Sequence, residues 1–341
     1  MGVNYVQFLQ THPLFLQGIY LQPVKNKPIM KINQKTKPTL QERGLTTKDI
    51  LQKAQRAKND EFYTRIEDVE KEFSMYEPSL WKDKTVFCNC DDAVDEDTRR
   101  TSAFTLYFMQ NFQKLELKKL ICTHYSGTID LFQQGTKGYI FIKDRFQEMK
   151  DYPPNYTGSF DHPLSLEILT EEADIVCTNP PFSKAIDYWK TIVPSGKLFL
   201  ILSNIALVLT TSYLHYFKNR KVWAGYHRVD HYLNPKKELV DAAGHWYTNI
   251  PLTERPKYQH LKIIPLEQIP SIYKKIDDRH VLLVDHCYIP SDYEEPFAVS
   301  VRPILNGLLE KGYAILREKE YYPYVKRKKC FARVLVHKIG N

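Results

Sequence analysis

Residues Asp174-Ile-Val-Cys-Thr-Asn179-Pro180-Pro181-Phe182 run an apolar strand straight into a turn with two successive prolines. Proline has a fixed φ and no N–H, so the pair stiffens the turn and ends the sheet ladder. One strand end is left with an amide side chain, a free backbone carbonyl and an aromatic ring. The exocyclic amino group of a nucleobase needs two acceptors in its plane and a flat apolar surface beside it. The Asn179 Oδ1 atom and the Pro180 carbonyl can be the acceptors, and Phe182 the surface. The chemistry this points to is methylation of an amino group on a base, most often N6 of adenine.

Such a turn must be held by a sheet, and strand and helix signals alternate through the first two thirds of the chain. Strands are expected at 84–89, 119–123, 173–177, 197–203 and 222–226, with helices at 49–58, 102–111, 164–172 and 184–192. The Lys197–Ser203 run is almost wholly apolar, as a central parallel strand is. This pattern predicts an α/β fold with a mostly parallel sheet. Beyond about residue 227 the alternation fades, leaving strands at 281–284 and 331–336 between Pro- and Tyr-rich loops.

In an open α/β sheet, ligands bind outside the carboxyl ends of the strands, where the strand order reverses. Three points fit one such site: Asn59-Asp60-Glu61-Phe62-Tyr63-Thr64, the end of the first strand at Phe87-Cys-Asn89-Cys-Asp91-Asp92, and the Asn-Pro-Pro-Phe turn. Polar groups there can hold the cationic amine and hydroxyls of S-adenosylmethionine, and a following helix N-terminus can face its carboxylate.

Composition bounds the partners. The chain has 341 residues and a net charge of +8, with 43% hydrophobic and 26% charged residues, which reads as soluble and globular. No apolar run approaches the roughly 18 residues of a membrane span. Residues 1–58 carry ten Lys/Arg against two Asp/Glu, and residues 311–341 nine against two. Basic ends on a mildly acidic middle predict a polyanion partner. Lys326-Arg327-Lys328-Lys329, beside Tyr321, Tyr322 and Tyr324, suits a phosphate backbone. The six cysteines show no CxxC pair and the eleven histidines no ligand spacing, so no metal is expected and a reduced, cytoplasmic setting is.

The succession Asp60-Glu-Phe-Tyr-Thr64, Val86-Phe-Cys-Asn-Cys-Asp-Asp92 and Asp174 to Ser183 resembles the EcoRI-type adenine-specific DNA methyltransferases. Further echoes are Val222-Trp-Ala-Gly225, His245-Trp-Tyr-Thr-Asn249, Ile289-Pro-Ser-Asp-Tyr293 and Lys329-Cys-Phe-Ala-Arg-Val-Leu335. The resemblance covers about residues 50–341. It implies a Rossmann-like, S-adenosylmethionine-dependent methyltransferase core at 46–226 and a DNA target-recognition region at 227–341, with 1–45 a basic extension outside it. It implies that Asp60, Phe62, Tyr63 and Thr64 help wrap the cofactor, with Asn89, Asp91 and Asp92 at the first strand end. Asn179, Pro180, Pro181 and Phe182 then hold an adenine extruded from double-stranded DNA. It also implies a bacterial or phage modification system, with a separately encoded restriction endonuclease as a possible companion.

The chain departs from the common cofactor fingerprint. No glycine-rich loop follows the first strand, where Cys90-Asp91-Asp92-Ala93 stands, and Thr123-His124-Tyr125 replaces the acidic residue usual after the second. Gly158-Ser159-Phe160-Asp161 is a candidate for the adenine-ring contacts, with Phe160 and either Ser159 or Asp161 as partners. Similar turns serve enzymes that methylate RNA bases or protein glutamine, and a DNA-binding relic that has lost its cofactor would share the fold. The basic ends favour nucleic acid.

Overall fold

A computed structural model describes residues 62–93, 101–125, 138–234, 237–252 and 261–339. The basic extension, the helix expected at 49–58 and Asp60 lie outside them. The elements follow in order: α1 Ile66–Phe73, β1 Thr85–Cys88, α2 Ala103–Asn111, β2 Lys119–His124, β3 Tyr139–Asp144, β4 Glu148–Asp151 and α3 Pro163–Glu167. Then come β5 Ile175–Thr178, α4 Ala185–Ile192, β6 Leu198–Asn204, α5 Thr211–Lys218, β7 Trp223–Leu233 and β8 Leu239–Thr248.

These eight strands form one sheet in the order β4-β3-β2-β1-β5-β6-β8-β7. The central four are parallel: Phe87 of β1 stands between Ile121 of β2 and Val176 of β5, and Val176 pairs with Phe199 of β6. Antiparallel hairpins extend both edges, β3–β4 on one side and β7–β8 on the other. The chain leaves β1 for β2 on one side and later returns to lay β5 on the other. The order therefore reverses between β1 and β5, and a crevice is expected beyond their carboxyl ends.

Side-chain alternation sorts the core into two layers. Phe87, Ile121, Val176, Phe199 and Ile201 face one way, against Trp189 of α4 and Leu214 of α5. Val86, Cys88, Leu120, Ile175, Leu200 and Leu202 face the other, against Phe73 of α1 and Phe104 and Phe108 of α2. Strands buried on both faces need apolar residues at every position, which is why β5 and β6 read as continuous apolar runs. Helix α2 starts where Ser102 Oγ accepts from the Thr105 N–H at 3.2 Å, an N-cap.

One buried carboxylate fixes the site's flank. Glu72 on α1 is fully buried. It accepts from the Tyr76 hydroxyl at 3.1 Å, from the Tyr226 and His227 N–H groups at 2.8 Å each, and lies 2.9 Å from His227 Nδ1. The Tyr226 and His227 donors come from the place where β7 slips register between Ala224 and Arg228. A Cβ on Gly225 would stand 2.3 Å from Glu72 Oε1, so glycine is needed for the approach. Just before α1, Tyr63 pairs with Leu233 at the end of β7.

The remaining strands are β9 Lys262–Ile264, β10 Lys274–Ile276, β11 Leu282–Val284, β12 Tyr288–Pro290, β13 Phe297–Val299, β14 Tyr313–Ile315, β15 Tyr324–Val325, β16 Lys328–Lys329 and β17 Val334–Lys338, with helix α6 at Val301–Leu305. Five form a second sheet, β10-β11-β13-β17-β14. Its residues Leu282, Phe297, Val299, Ile315 and Val336 join the first core layer. The boundary expected at 226/227 falls inside β7, and the large sheet runs on to Thr248.

Candidate active site

The strand ends at the reversal point gather most of the residues expected there. The β1 strand delivers Asn89, Asp91 and Asp92, and β5 delivers the Asn179 turn. Asn89 is 1% exposed; its Oδ1 accepts from the Tyr188 hydroxyl on α4 at 2.6 Å, while its Nδ2 has no partner. Asp92 lies 3.0 Å from His124 Nδ1 at the end of β2, and His124 stacks on Tyr139 at 4.9 Å.

Asp91 turns inward to the catalytic-candidate turn. Its Oδ2 accepts from the Thr178 hydroxyl and from the Asn179 N–H at 3.2 Å. Burial pushes this carboxyl up to about 7, although the hydrogen bonds from Thr178 and Asn179 favour its ionised form. A group moved that far toward neutrality is a frequent mark of a functional crevice.

The Asn179 amide is oriented by a residue far away in sequence. Its Nδ2 donates to the Phe62 carbonyl at 2.7 Å, so its Oδ1 is turned the other way; that atom is buried and has no partner. A buried acceptor without a partner costs about 1–3 kcal/mol, so one held in place by other bonds is suited to accept from a bound donor. Pro180 is buried and Pro181 exposed. Phe182 is 3% exposed and stacks on Phe62, centroids 5.1 Å apart and planes at 25°. Tyr232 of β7 meets both rings edge-on, at 5.7 and 5.9 Å.

Of the upstream segment, Tyr63 is tied by its backbone to Leu233, at 2.8 and 2.9 Å. Thr64 is nearly buried with an unpartnered hydroxyl. The 157–161 loop lies against the end of β2: a Cβ on Gly158, at φ +76°, would overlap the His124 carbonyl. In that loop Phe160 is buried edge-on against Tyr188 at 5.0 Å. Asp161 is exposed and accepts from Ser159, so both candidates for the polar partner share one hydrogen bond. Burial pushes the Cys177 thiol well up, which removes it as a thiolate nucleophile. Among the described residues no group of His, Cys, Asp and Glu could hold a metal, and no helix is long and apolar enough to cross a membrane.

The basic cluster stands elsewhere, on a hairpin joined to the second sheet. Tyr324 pairs with Lys329 and Val325 with Lys328, leaving Lys326 and Arg327 as a two-residue turn with φ of +50° and +62°. Such turns favour Asn-Gly; left-handed Lys and Arg are strained there. Asp278 offsets the strain by accepting from both N–H groups, at 2.9 and 2.7 Å. All four basic side chains point to the surface, and Lys329 Nζ lies 4.0 Å over Tyr322.

Sequence reasoning did not single out Tyr188, Tyr232 or Thr178 as site residues. Thr178 lies inside the signature, where its hydroxyl gives no separate signal. Tyr188 and Tyr232 carry no local signal, since only the sheet order brings α4 and β7 to the turn.

Residues 50–317 match the family model described as adenine-specific methyltransferase EcoRI. The type II methyltransferase M.EcoRI of Escherichia coli is 30% identical over 289 residues, 75% of this chain and 85% of that protein. The type II methyltransferase M.MpnI of Mycoplasma pneumoniae is 34% identical over 174 residues, about half of each chain. No solved structure matches. The Asn-Pro-Pro-Phe turn at the reversal point and a family match over most of the chain lead to one conclusion: the chain belongs to the EcoRI family of adenine-specific methyltransferases.

Proposed function

We propose that the chain transfers a methyl group from S-adenosylmethionine to N6 of an adenine swung out of double-stranded DNA. The observation that carries this reading is the buried, partnerless Oδ1 of Asn179, aimed by the Phe62 carbonyl and flanked by Phe182. The amino nitrogen of adenine is out of reach inside the stack, so the base must leave it.

The residues present fit the cofactor. Thr64 Oγ1 and Asn89 Nδ2 are buried polar atoms without partners, Asn89 at the end of β1 with Asp92 just beyond it. We assign Thr64, Asn89 and Asp92 to the cofactor, with Phe160 and Asp161 walling its adenine ring and Tyr63 closing the near side. S-adenosylmethionine bound there supplies an electrophilic methyl on a cationic sulfur. The chain does the rest by placement. Asn179 Oδ1 and the Pro180 carbonyl accept the two amino hydrogens, which draws the nitrogen lone pair out of conjugation and toward the methyl. Asp91 holds the turn by the Asn179 N–H. The nitrogen becomes acidic only once methylated, so its proton leaves without a strong base.

The relatives' description as type II methyltransferases supports a place in a restriction-modification system. The companion endonuclease would be a separate chain reading the same site. Methylation-sensitive sequencing of DNA from cells producing this chain tests the reading. N6-methyladenine in a fixed sequence context is expected; its absence from DNA, with label appearing in RNA or protein instead, would overturn it.

The Lys326–Lys329 hairpin is assigned to the DNA backbone. Replacing Lys326 and Arg327 together by glutamine keeps length while removing two charges. Anisotropy titrations across salt are expected to show weaker binding and a log–log salt slope shallower by up to about 1.8, since each phosphate contact contributes about 0.9. An unchanged slope would remove the hairpin from the interface.

A further inference from the structure

The place where Phe182 would meet a base is already filled. Phe182 is 3% exposed, and one face of its ring is covered by Phe62 at 5.1 Å and 25°. That is the near-parallel contact a base makes on an aromatic platform. Tyr232 closes the side, edge-on to both rings. The likeness to a bound base extends to polar atoms. The Phe62 carbonyl satisfies the Asn179 Nδ2 donor, but a phenyl ring has no amino group to offer, and Asn179 Oδ1 stays empty.

The backbone next to Phe62 is anchored independently of its ring. The next residue, Tyr63, is pinned by two backbone hydrogen bonds to Leu233. Helix α1 behind it is clamped to β7 through Glu72. Rotation at Phe62 alone moves its ring, while Tyr232 and Phe182 keep their places on the sheet and the turn.

We propose that the position on the face of Phe182 now taken by Phe62, beside Tyr232, is the target-base subsite. The extruded adenine displaces Phe62, and Tyr232 becomes the second aromatic wall. The proposal rests on the function argued above and adds two residues to it. Filling the slot with the protein's own ring keeps an apolar pocket from collapsing in the resting state. It also sets a threshold for entry. A base in free solution must displace a stacked ring unaided, whereas one presented by a bound duplex has the backbone contacts to offset that cost.

The test uses the full chain with the demethylated cofactor product and a duplex carrying the site that sequencing defines. Phe62→Trp places a reporter on Phe182, read as the difference from wild-type emission in the same titration. Permanganate reactivity of the thymine opposite the target adenine reports extrusion independently. Extrusion with a red shift of Trp emission is the expected result. Extrusion with emission unchanged overturns displacement of residue 62. A bound duplex with an unreactive thymine overturns base extrusion itself, and the proposal with it. Tyr232→Leu should slow transfer roughly tenfold or more through lost stacking, with Tyr232→Phe within about twofold of wild type. In the leucine variant, cofactor affinity by calorimetry should be unchanged. A leucine variant that binds cofactor normally and transfers at the wild-type rate removes Tyr232 from the site.

Discussion

Replacing Asn179 by alanine is expected to slow methyl transfer by at least about a hundredfold, the scale on which a single preorganised hydrogen-bonding group acts at a reacting centre. Cofactor affinity should hardly change. The alanine removes both ends of the amide: the Oδ1 that accepts from the substrate amine, and the Nδ2 that donates to the Phe62 carbonyl. The Asn179 N–H still donates to Asp91, so the turn keeps its backbone anchor. Asn179→Asp separates the two functions. It keeps an acceptor for the amine but sets a carboxylate oxygen against the Phe62 carbonyl, 2.7 Å away in the wild type. Two acceptors repel at that distance, so the turn or Phe62 must shift, and a loss smaller than that of alanine is expected. Single-turnover methylation of a saturating duplex, with calorimetric titration of the demethylated cofactor product, measures both quantities. Transfer by Asn179→Ala within a few-fold of wild type would end the role assigned to this residue.

What the sequence shows about this site is the part that is local. The β5 strand, the two prolines and Phe182 are neighbours along the chain, so their geometry follows from backbone rules. Strands β1, β2 and β6 are legible for the same reason, as apolar runs buried on both faces. Other contacts depend on strand order, which periodicity does not encode. The bond from Asn179 to Phe62 spans 117 residues, that from Asp91 to Asn179 88, and that from Glu72 to His227 155. Tyr232 reaches Phe182 only because β7 folds back along the sheet that β5 helps to build. The β3–β4 hairpin and the three-residue strands of the second sheet are too short or too polar to show a period. Asp91 shows the limit best: its residue type and place suggest a cofactor ligand, and only the fold turns its carboxylate toward Thr178 and the turn.

That inward turn gives Asp91 a pH signature. Its carboxyl is pushed up to about 7 in the folded chain, against about 3.9 when unfolded. Between those values the folded state holds a proton that the unfolded state has released. Stability therefore falls as pH rises from about 4 to about 7 and is flat above, by an upper limit on the order of 4 kcal/mol. Asp91→Asn removes the titration and keeps an oxygen that can accept from Thr178 and Asn179. In urea unfolding, the variant should gain on wild type across that window and then hold a constant difference; a difference independent of pH would show that Asp91 does not titrate there. Transfer should respond in the opposite direction. Above about 7 the ionised carboxylate is the stronger acceptor and fixes the Asn179 N–H. Below that pH the neutral acid accepts more weakly and the turn loosens. The wild-type single-turnover rate should rise with pH through about 7, and in Asp91→Asn that limb should vanish, because an amide is the same acceptor at every pH.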